Sequence, residues 1–418
     1  MPKKVLCRRV SSIRVLIKGV LFKGVLAKKA LPQKVLLSFL LFFILITTII
    51  AADDFQLNSK SAILMEYETG EILYQKSPNL ELPPASMTKV MTMLLVMEAI
   101  DEGRAKLDDK LVVSEFAASM GGSQIWLEAG EEMSLEEMMK AIAIVSANDA
   151  CVAVAEYLYG TEDAFVRRMN ERAKELGLEN TYFYNTNGLP PDNPDIQGNY
   201  TSAYDLAIMA RELLKYRKVL EWTSTWIDYL RNGDSVLNNT NRLVRFYSGA
   251  DGLKTGFTEE AKFCLTSTAE RDGVRFIAVI MGADDSRVRF EESGKLLTYG
   301  FGMYQGLKVA TKDELIDEIE IFNGKLGNAN AILEKEIIVP IKRGQEDEIN
   351  RVVELSENIY APLHKGQVIG EVKVYRGNLL IKKGNIVVDR DVTKASFIQM
   401  ISRIIQRIIV SILNLFAR

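Results

Sequence analysis

Ser86 and Lys89 stand three residues apart in Ser86-Met87-Thr88-Lys89, the one Ser-x-x-Lys of the chain. On a helix that spacing puts both side chains on one side, within reach of each other. A lysine near a helix start, desolvated and close to a second cation, loses enough basicity to serve as a general base. The same helix end favours the oxyanion that forms when a serine hydroxyl attacks a carbonyl. The plain alternative is an N-capping Ser86 with Lys89 on a solvated face. Lys254-Thr255-Gly256 also occurs once, and offers a cation, a hydroxyl and a glycine that admits a substrate backbone. Ser146-Ala147-Asn148 lies between the two. As a pattern it means little, since Ser77-Pro78-Asn79 and Ser356-Glu357-Asn358 match it too. Its weight comes from its order in the chain and its place after a buried helix.

Any such chemistry must run without histidine. The chain has one, His364, in the turn Pro362-Leu363-His364-Lys365-Gly366. A Ser-His-Asp or Cys-His hydrolase, or a His-rich zinc site, is therefore excluded. Three cysteines (Cys7, Cys151, Cys264) form no C-x-x-C and imply no disulfide framework. No metal or organic cofactor is called for. Cys151, close to Ser146 and Asn148, reads as a small core residue and not a second nucleophile. Residues 1–52 hold ten Lys/Arg and no acid, so of 52 basic and 55 acidic residues, 42 and 55 remain for residues 53–418, a balance of −13. A body that acidic lacks the cations that neutralise phosphates, so nucleic acid is excluded as a partner.

The elements that must position these residues are legible in outline. With 48% hydrophobic and 26% charged residues over 418 positions, the chain is globular and long enough for two or three domains. Residues 57–310 mix strands and helices. Residues 62–74 read as a hairpin around Glu68-Thr69-Gly70, and 88–100 as a buried helix. Ser134-Leu135-Glu136-Glu137 is a capping box that opens another helix, and further helices are expected over 163–176 and 202–214. Residues 264–269 and 275–281 read as antiparallel strands around Asp272-Gly273. From 313 to 394 short strands alternate with Gly and charged turns, which predicts a small all-β domain, a sandwich, with no constellation of catalytic residue types.

The two ends point to a membrane. Residues 35–52 form an apolar, uncharged run after Lys34 and before Asp53, a signal peptide with cleavage near Ala52; a retained membrane helix is the alternative. Residues 1–34 repeat a basic-apolar unit and are set aside from the fold. In residues 395–418, Ser396, Gln399, Arg403, Arg407, Ser411, Asn414 and Arg418 fall on one side of a helix whose remainder is largely apolar. A wide apolar face, arginines opposite and no acid suit a helix lying in the headgroup layer; the alternative is a terminal core helix.

Ser-x-x-Lys, Ser-x-Asn and Lys-Thr-Gly in that order form the active-serine signature of penicillin-binding proteins and class A β-lactamases. With PPASMTKVMT, VSANDA and DGLKTGFT, residues 57–395 resemble the low-molecular-weight penicillin-binding proteins, the serine-type D-alanyl-D-alanine carboxypeptidases of peptidase family S11. The resemblance implies an α/β (α+β) penicillin-binding/β-lactamase-like domain, an antiparallel sheet flanked by helices, then a β-sandwich and a C-terminal amphipathic anchor helix.

It further implies that Ser86 is acylated, with Lys89 its base, and that Ser146 and Lys254 relay a proton to the departing D-alanine. Asn148 would hold the substrate amide. Thr255 would meet the terminal carboxylate beside Gly256, with Arg289 as supporting cation and Arg287 as rival. The oxyanion would sit between the backbone N–H groups of Ser86 and Phe257. Some members carry a histidine at the position of Phe257, so an altered rate or pH response is implied. The expected partners are peptidoglycan stem peptides ending in D-Ala-D-Ala, β-lactams as inhibitors and a membrane surface; the expected place is the outer face of the cytoplasmic membrane.

The rivals are a D,D-endopeptidase, whose family members usually lack the β domain, and a β-lactamase, which in the class A form has Asp where Ala147 stands. A non-catalytic wall-binding protein is a further reading, disfavoured because Ser86, Lys89 and Lys254 are all present. A high-molecular-weight transpeptidase is not expected, because no long module fits before residue 57.

Overall fold

The computed structural model describes residues 56–345 and 349–399, together with Ile401 and Ile409. The leader and signal peptide expected over 1–52, and nearly all of the anchor helix expected over 395–418, lie outside the described residues. Among the described residues no helix is long and apolar enough to cross a membrane.

The described residues open on a hairpin of β1 (Ser61–Glu66) and β2 (Ile72–Lys76). Its turn is closed by Glu66, whose carboxylate accepts the N–H groups of Glu68 and Thr69 and the Thr69 hydroxyl. Then come α1 (Lys89–Asp101), α2 (Leu135–Ile144), α3 (Asn148–Tyr159), α4 (Glu162–Glu175) and α5 (Ala203–Leu213). The predicted capping box opens α2: Ser134 accepts from the Glu137 N–H, and the Glu137 carboxylate accepts from the Ser134 N–H. Strands β3 (Ala250–Thr258), β4 (Lys262–Arg271) and β5 (Val274–Ala283) follow, then α6 (Ser286–Met303).

The five strands form one antiparallel sheet in the order β2-β1-β5-β4-β3, which leaves β3 as an edge. β1 and β5 are buried along their whole length, because helices cover both faces. Successive side chains of a strand point to opposite faces. Accordingly Ile63, Met65, Ile277, Val279 and Met281 join the large core shared with α1 to α5, while Phe276 meets Phe301 of α6 edge-on.

The second domain begins with β6 (Tyr304–Ala310), β7 (Leu315–Glu320), β8 (Asn328–Leu333) and β9 (Ile337–Lys342). It ends with β10 (Ile349–Leu355), β11 (Val368–Arg376) and β12 (Leu379–Val388). Five strands pair in the order β7-β8-β12-β11-β10, and β6 pairs with β9, over a separate apolar core. The strand Tyr304–Ala310 thus shares a sheet with residues of the β domain. His364 is solvated in its turn, its side chain 86% exposed.

Among the described residues the two domains touch at several places, one being Arg343 on the Phe301 and Gly302 carbonyls. The β1–β2 hairpin presents Glu71 to Tyr304, Lys342 and Arg376, and Glu68 to Lys382. The Asp272-Gly273 turn between β4 and β5 packs against Gly306 and Ile338.

Candidate active site

Ser86 sits in a 3-10 turn, Ala85–Thr88, that runs straight into α1. Its neighbour Ala85 has φ +47°, a left-handed conformation that costs an L-residue about 1–2 kcal/mol. Polar contacts hold this turn. The Thr88 hydroxyl donates to the Ala85 carbonyl at 2.9 Å, and Asn199 Nδ2 donates to the same hydroxyl at 2.8 Å. Gly188, at φ +86°, lies so close that a β-carbon there would come 1.9 Å from the Ala85 oxygen.

One turn on, Lys89 is wholly buried. Its ammonium donates to Ser86 Oγ at 3.0 Å, to Asn148 Oδ1 at 2.6 Å and to the Asn187 carbonyl at 2.8 Å. Burial pulls its pKa down to about 8, against weaker opposing pulls from Cys151 and Asp149. A hydroxyl in contact with a weakly basic amine is an activated nucleophile.

Asn148 begins α3 and is fixed at both ends of its side chain, since Nδ2 donates to the Gly121 carbonyl at 2.7 Å. Its own N–H reaches the Ser123 carbonyl at 2.7 Å. The Asp149 carboxylate accepts the N–H groups of Ile125 and Leu127, so the 121–127 loop is fastened to the start of α3. Ser146 precedes the helix with φ +69°. Its Oγ is buried and has no hydrogen-bond partner among the described residues. Cys151 is buried in the core, and burial pushes its thiol up to about 12, so it is inert as a nucleophile.

The third wall is β3. Lys254 is buried, and its ammonium donates to the Thr255 carbonyl at 2.9 Å. Burial lowers its pKa well below the ordinary lysine value, and the charge of Lys89 lowers it further. No hydrogen bond joins Lys254 to Ser146, whose hydroxyl is unpartnered. Gly256 shares a strand face with Lys254 by alternation, and a β-carbon there would meet the Pro84 carbonyl oxygen at 2.6 Å. That glycine is what lets the strand lie against the Ser86 turn. The Thr255 hydroxyl donates to Thr240 Oγ1 at 2.7 Å. Phe257 turns its ring outwards, 45% exposed, and stacks on Phe263 of β4 with centroids 4.4 Å apart.

Arg289, on α6, is buried under the strand pair. Its guanidinium donates to the Gly256 carbonyl at 3.0 Å and the Cys264 carbonyl at 3.3 Å, and lies over the rings of Phe263 and Phe290. Burial lowers its pKa to about 10. Arg287 points away, 80% exposed, towards Glu291.

Three contributors carried no sequence signal of their own: the Asn187 carbonyl, Gly188 and Thr240. Asn187 acts through its main chain, which any residue could supply. The Asn187-Gly188 dipeptide was the only hint, as a turn.

The chain is similar to known proteins over most of its length. A family model described as D-alanyl-D-alanine carboxypeptidase matches residues 47–285, and one described as penicillin-binding protein 5, C-terminal domain, matches residues 304–394. The chain is 44% identical to the D-alanyl-D-alanine carboxypeptidase DacF of Bacillus subtilis, over 82% of this chain and 88% of that protein. It is 32% identical to the D-alanyl-D-alanine carboxypeptidase DacC of Escherichia coli, over 81% and 86%. Among solved structures, the peptidoglycan synthesis regulatory factor PBP3 of Streptococcus pneumoniae superposes with a TM-score of 0.65 at 28% identity, covering 81% of this chain and all of that one. Penicillin-binding protein D2 of Listeria monocytogenes in its ampicillin-bound form gives a TM-score of 0.54 at 33% identity, covering 59% and 98%. By sequence and by fold alike, the chain belongs to the D-alanyl-D-alanine carboxypeptidase family, peptidase S11.

Proposed function

We propose that the protein is a serine D,D-carboxypeptidase that removes the terminal D-alanine from peptidoglycan stem peptides. The observation that carries this reading is the contact of the buried Lys89 ammonium with Ser86 Oγ at 3.0 Å, beside the Lys254 strand. Neutral Lys89 takes the hydroxyl proton, and Ser86 Oγ attacks the carbonyl carbon of the penultimate D-alanine. The developing oxyanion is held by the N–H groups of Ser86 and Phe257, with Asn148 on the substrate amide. Ser146 gives its proton to the departing amine and recovers one from the Lys254 side; such contacts often tighten only when substrate is bound. D-alanine leaves, and water then cleaves the Ser86 ester.

Thr255 receives the terminal carboxylate next to Gly256. Arg289 supports it through the Gly256 carbonyl and by its nearby charge. A β-lactam presents the same amide in a ring, so acylation of Ser86 leaves the amine tethered. The chemistry is assigned to residues 57–310 and support to 313–394, with Tyr304–Ala310 as the shared piece. An endopeptidase would use the same residues; the β domain favours the carboxypeptidase.

The relatives are named for D-alanyl-D-alanine cleavage and peptidoglycan synthesis, which supports work on the cell wall, outside the cytoplasm. Export through the 35–52 segment and attachment to the outer face of the cytoplasmic membrane by residues 395–418 complete the proposal, supported by the patterning of those residues. Truncation after residue 394 should abolish flotation with anionic vesicles.

The decisive test compares the full chain in detergent with Ser86→Ala, using a peptide ending in Lys-D-Ala-D-Ala and measuring free D-alanine. Release by the parent alone supports the assignment. Absence of release, with labelled penicillin still bound at Ser86, points to the endopeptidase.

A further inference from the structure

Strand β12 runs away from the catalytic domain. It starts at Leu379, close after Arg376, whose guanidinium reaches Glu71, and it ends at Val388. Its ten residues span about 30 Å. Val388 lies opposite Ala331 of β8, so the 321–327 loop that leads into β8 lies farther out still. Main-chain bonds tie two more segments to that loop. The Phe322 N–H donates to the Ile359 carbonyl at 2.8 Å, and the Ala361 N–H to the Phe322 carbonyl at 2.9 Å. The Lys325 N–H donates to the Thr393 carbonyl at 2.7 Å, and the Ala395 N–H to the Asn323 carbonyl at 2.8 Å. Together these segments form the pole of the β domain that faces away from the catalytic domain.

This pole turns apolar side chains outwards. Phe322, Leu326 and Tyr360 are all exposed, and the two rings tilt against each other with centroids 5.5 Å apart. Lys325, Lys365 and Lys394 stand exposed in the same segments. Residues 321–327, 357–366 and 389–395 hold four Lys/Arg (Lys325, Lys365, Arg390, Lys394) and three acids (Glu357, Asp389, Asp391), a balance of +1 against −13 for residues 53–418. An anionic surface therefore repels this end least. The chain also leaves from here. Ser396 caps a helix that begins at Phe397: its N–H donates to Gln399 Oε1 at 3.0 Å, and its Oγ accepts the Gln399 N–H at 3.4 Å. Phe397 and Ile398 are exposed as well. Aromatic rings, and lysines with apolar stems and charged ends, are side chains that settle at a lipid–water boundary.

We propose that this pole is a second membrane contact, in which Phe322, Leu326 and Tyr360 enter the headgroup layer of an anionic bilayer while Lys325, Lys365 and Lys394 lie against its phosphates. The inference rests on the attachment through residues 395–418 proposed above, and adds that the folded β domain itself meets the lipid. One weak signal holds a protein to a membrane marginally, and two hold it firmly. The patch alone is too weak, so truncation after residue 394 still loses flotation. Joined to the anchor, it also fixes the tilt of the β domain, whose strands lead from the pole to the catalytic domain.

The test places a polarity-sensitive fluorophore on single introduced cysteines in the full chain, with Cys7→Ser as the background; Cys151 and Cys264 are buried and stay unlabelled. Leu326→Cys and Tyr360→Cys probe the pole, and Leu379→Cys, exposed at the opposite end of β12, is the control. Vesicles of phosphatidylglycerol and phosphatidylcholine should raise the emission and shift it to the blue at 326 and 360, and leave 379 unchanged. Pure phosphatidylcholine, or added salt, should weaken the response. Adding Lys325→Glu/Lys365→Glu/Lys394→Glu should cut it about fivefold, since each lysine near an anionic surface contributes. Penicillin labelling and a thermal melt check that each variant is folded. In a protein that floats with the vesicles, labels at 326 and 360 that respond no more than the one at 379, or a response unchanged in the triple Glu variant, overturn the proposal and leave the anchor standing. If the full chain does not float at all, the anchor fails and this inference with it.

Discussion

At the scale of single residues, the site is built on a lysine that burial has made a poor cation. A general base works in its neutral form, and Lys89, with a pKa drawn down to about 8, is partly neutral near physiological pH. Falling pH protonates it. Acylation of Ser86 by a labelled penicillin should therefore decline below about pH 8, approaching tenfold per unit, and stopped-flow or gel quantification across pH 5–9 would show that limb. A rate flat through this range would assign the base elsewhere. Lys89→Arg keeps the charge but can never lose it, so acylation should drop by about 10³-fold. Ser86 and Lys89 were legible in the sequence because their relation is local, three residues along one helix. The remaining oxygen on Lys89 was not: the Asn187 carbonyl lies 98 residues away and has no side-chain signature.

At the scale of elements, two close approaches set the cleft. One is the 188 loop against the Ser86 turn, the other β3 against the same turn. Gly188→Ala would force a β-carbon into the Ala85 carbonyl at a left-handed φ. Strain and overlap together should cost about 3 kcal/mol, with loss of penicillin labelling at temperatures where the protein is still folded. A thermal melt and a labelling assay on the same sample would separate the two effects. The helices, the capping box and the hairpins were readable from periodicity and turn chemistry, and they appear within a few residues of the expected bounds. The sheet order was a different matter. That β1 lies between β2 and β5 follows from long-range pairing, which periodicity cannot encode. Arg289 shows the same limit. Its place near Lys254-Thr255-Gly256 was anticipated, whereas its grip on the Gly256 carbonyl from α6 needed the packed structure.

At the scale of the whole molecule, Glu71 ties the catalytic domain to the β domain. Burial opposes its ionisation, but bonds from Lys342, Tyr304 and Arg376 outweigh this and hold the carboxyl below its ordinary value. The unfolded chain then binds the proton more readily, so the contribution to stability is present above the ordinary carboxyl pKa and disappears as pH falls through the lowered one. Glu71→Gln should lower the melting temperature at pH 7, with the gap to the parent closing below about pH 4. Calorimetry over a pH series would show it, and a gap independent of pH would deny Glu71 this role. The second tie, the Asp272-Gly273 turn, sits at the far end of the β4–β5 hairpin from the cleft, because Lys262 at the start of β4 pairs with Thr258. Thr255 pairs with Leu265, and seven residues of chain lead from there to Asp272, about 23 Å. The hairpin thus works as a spacer of fixed length. On the proposed membrane attachment, that length would set the height of the cleft above the surface and so the layer of wall strands it could reach.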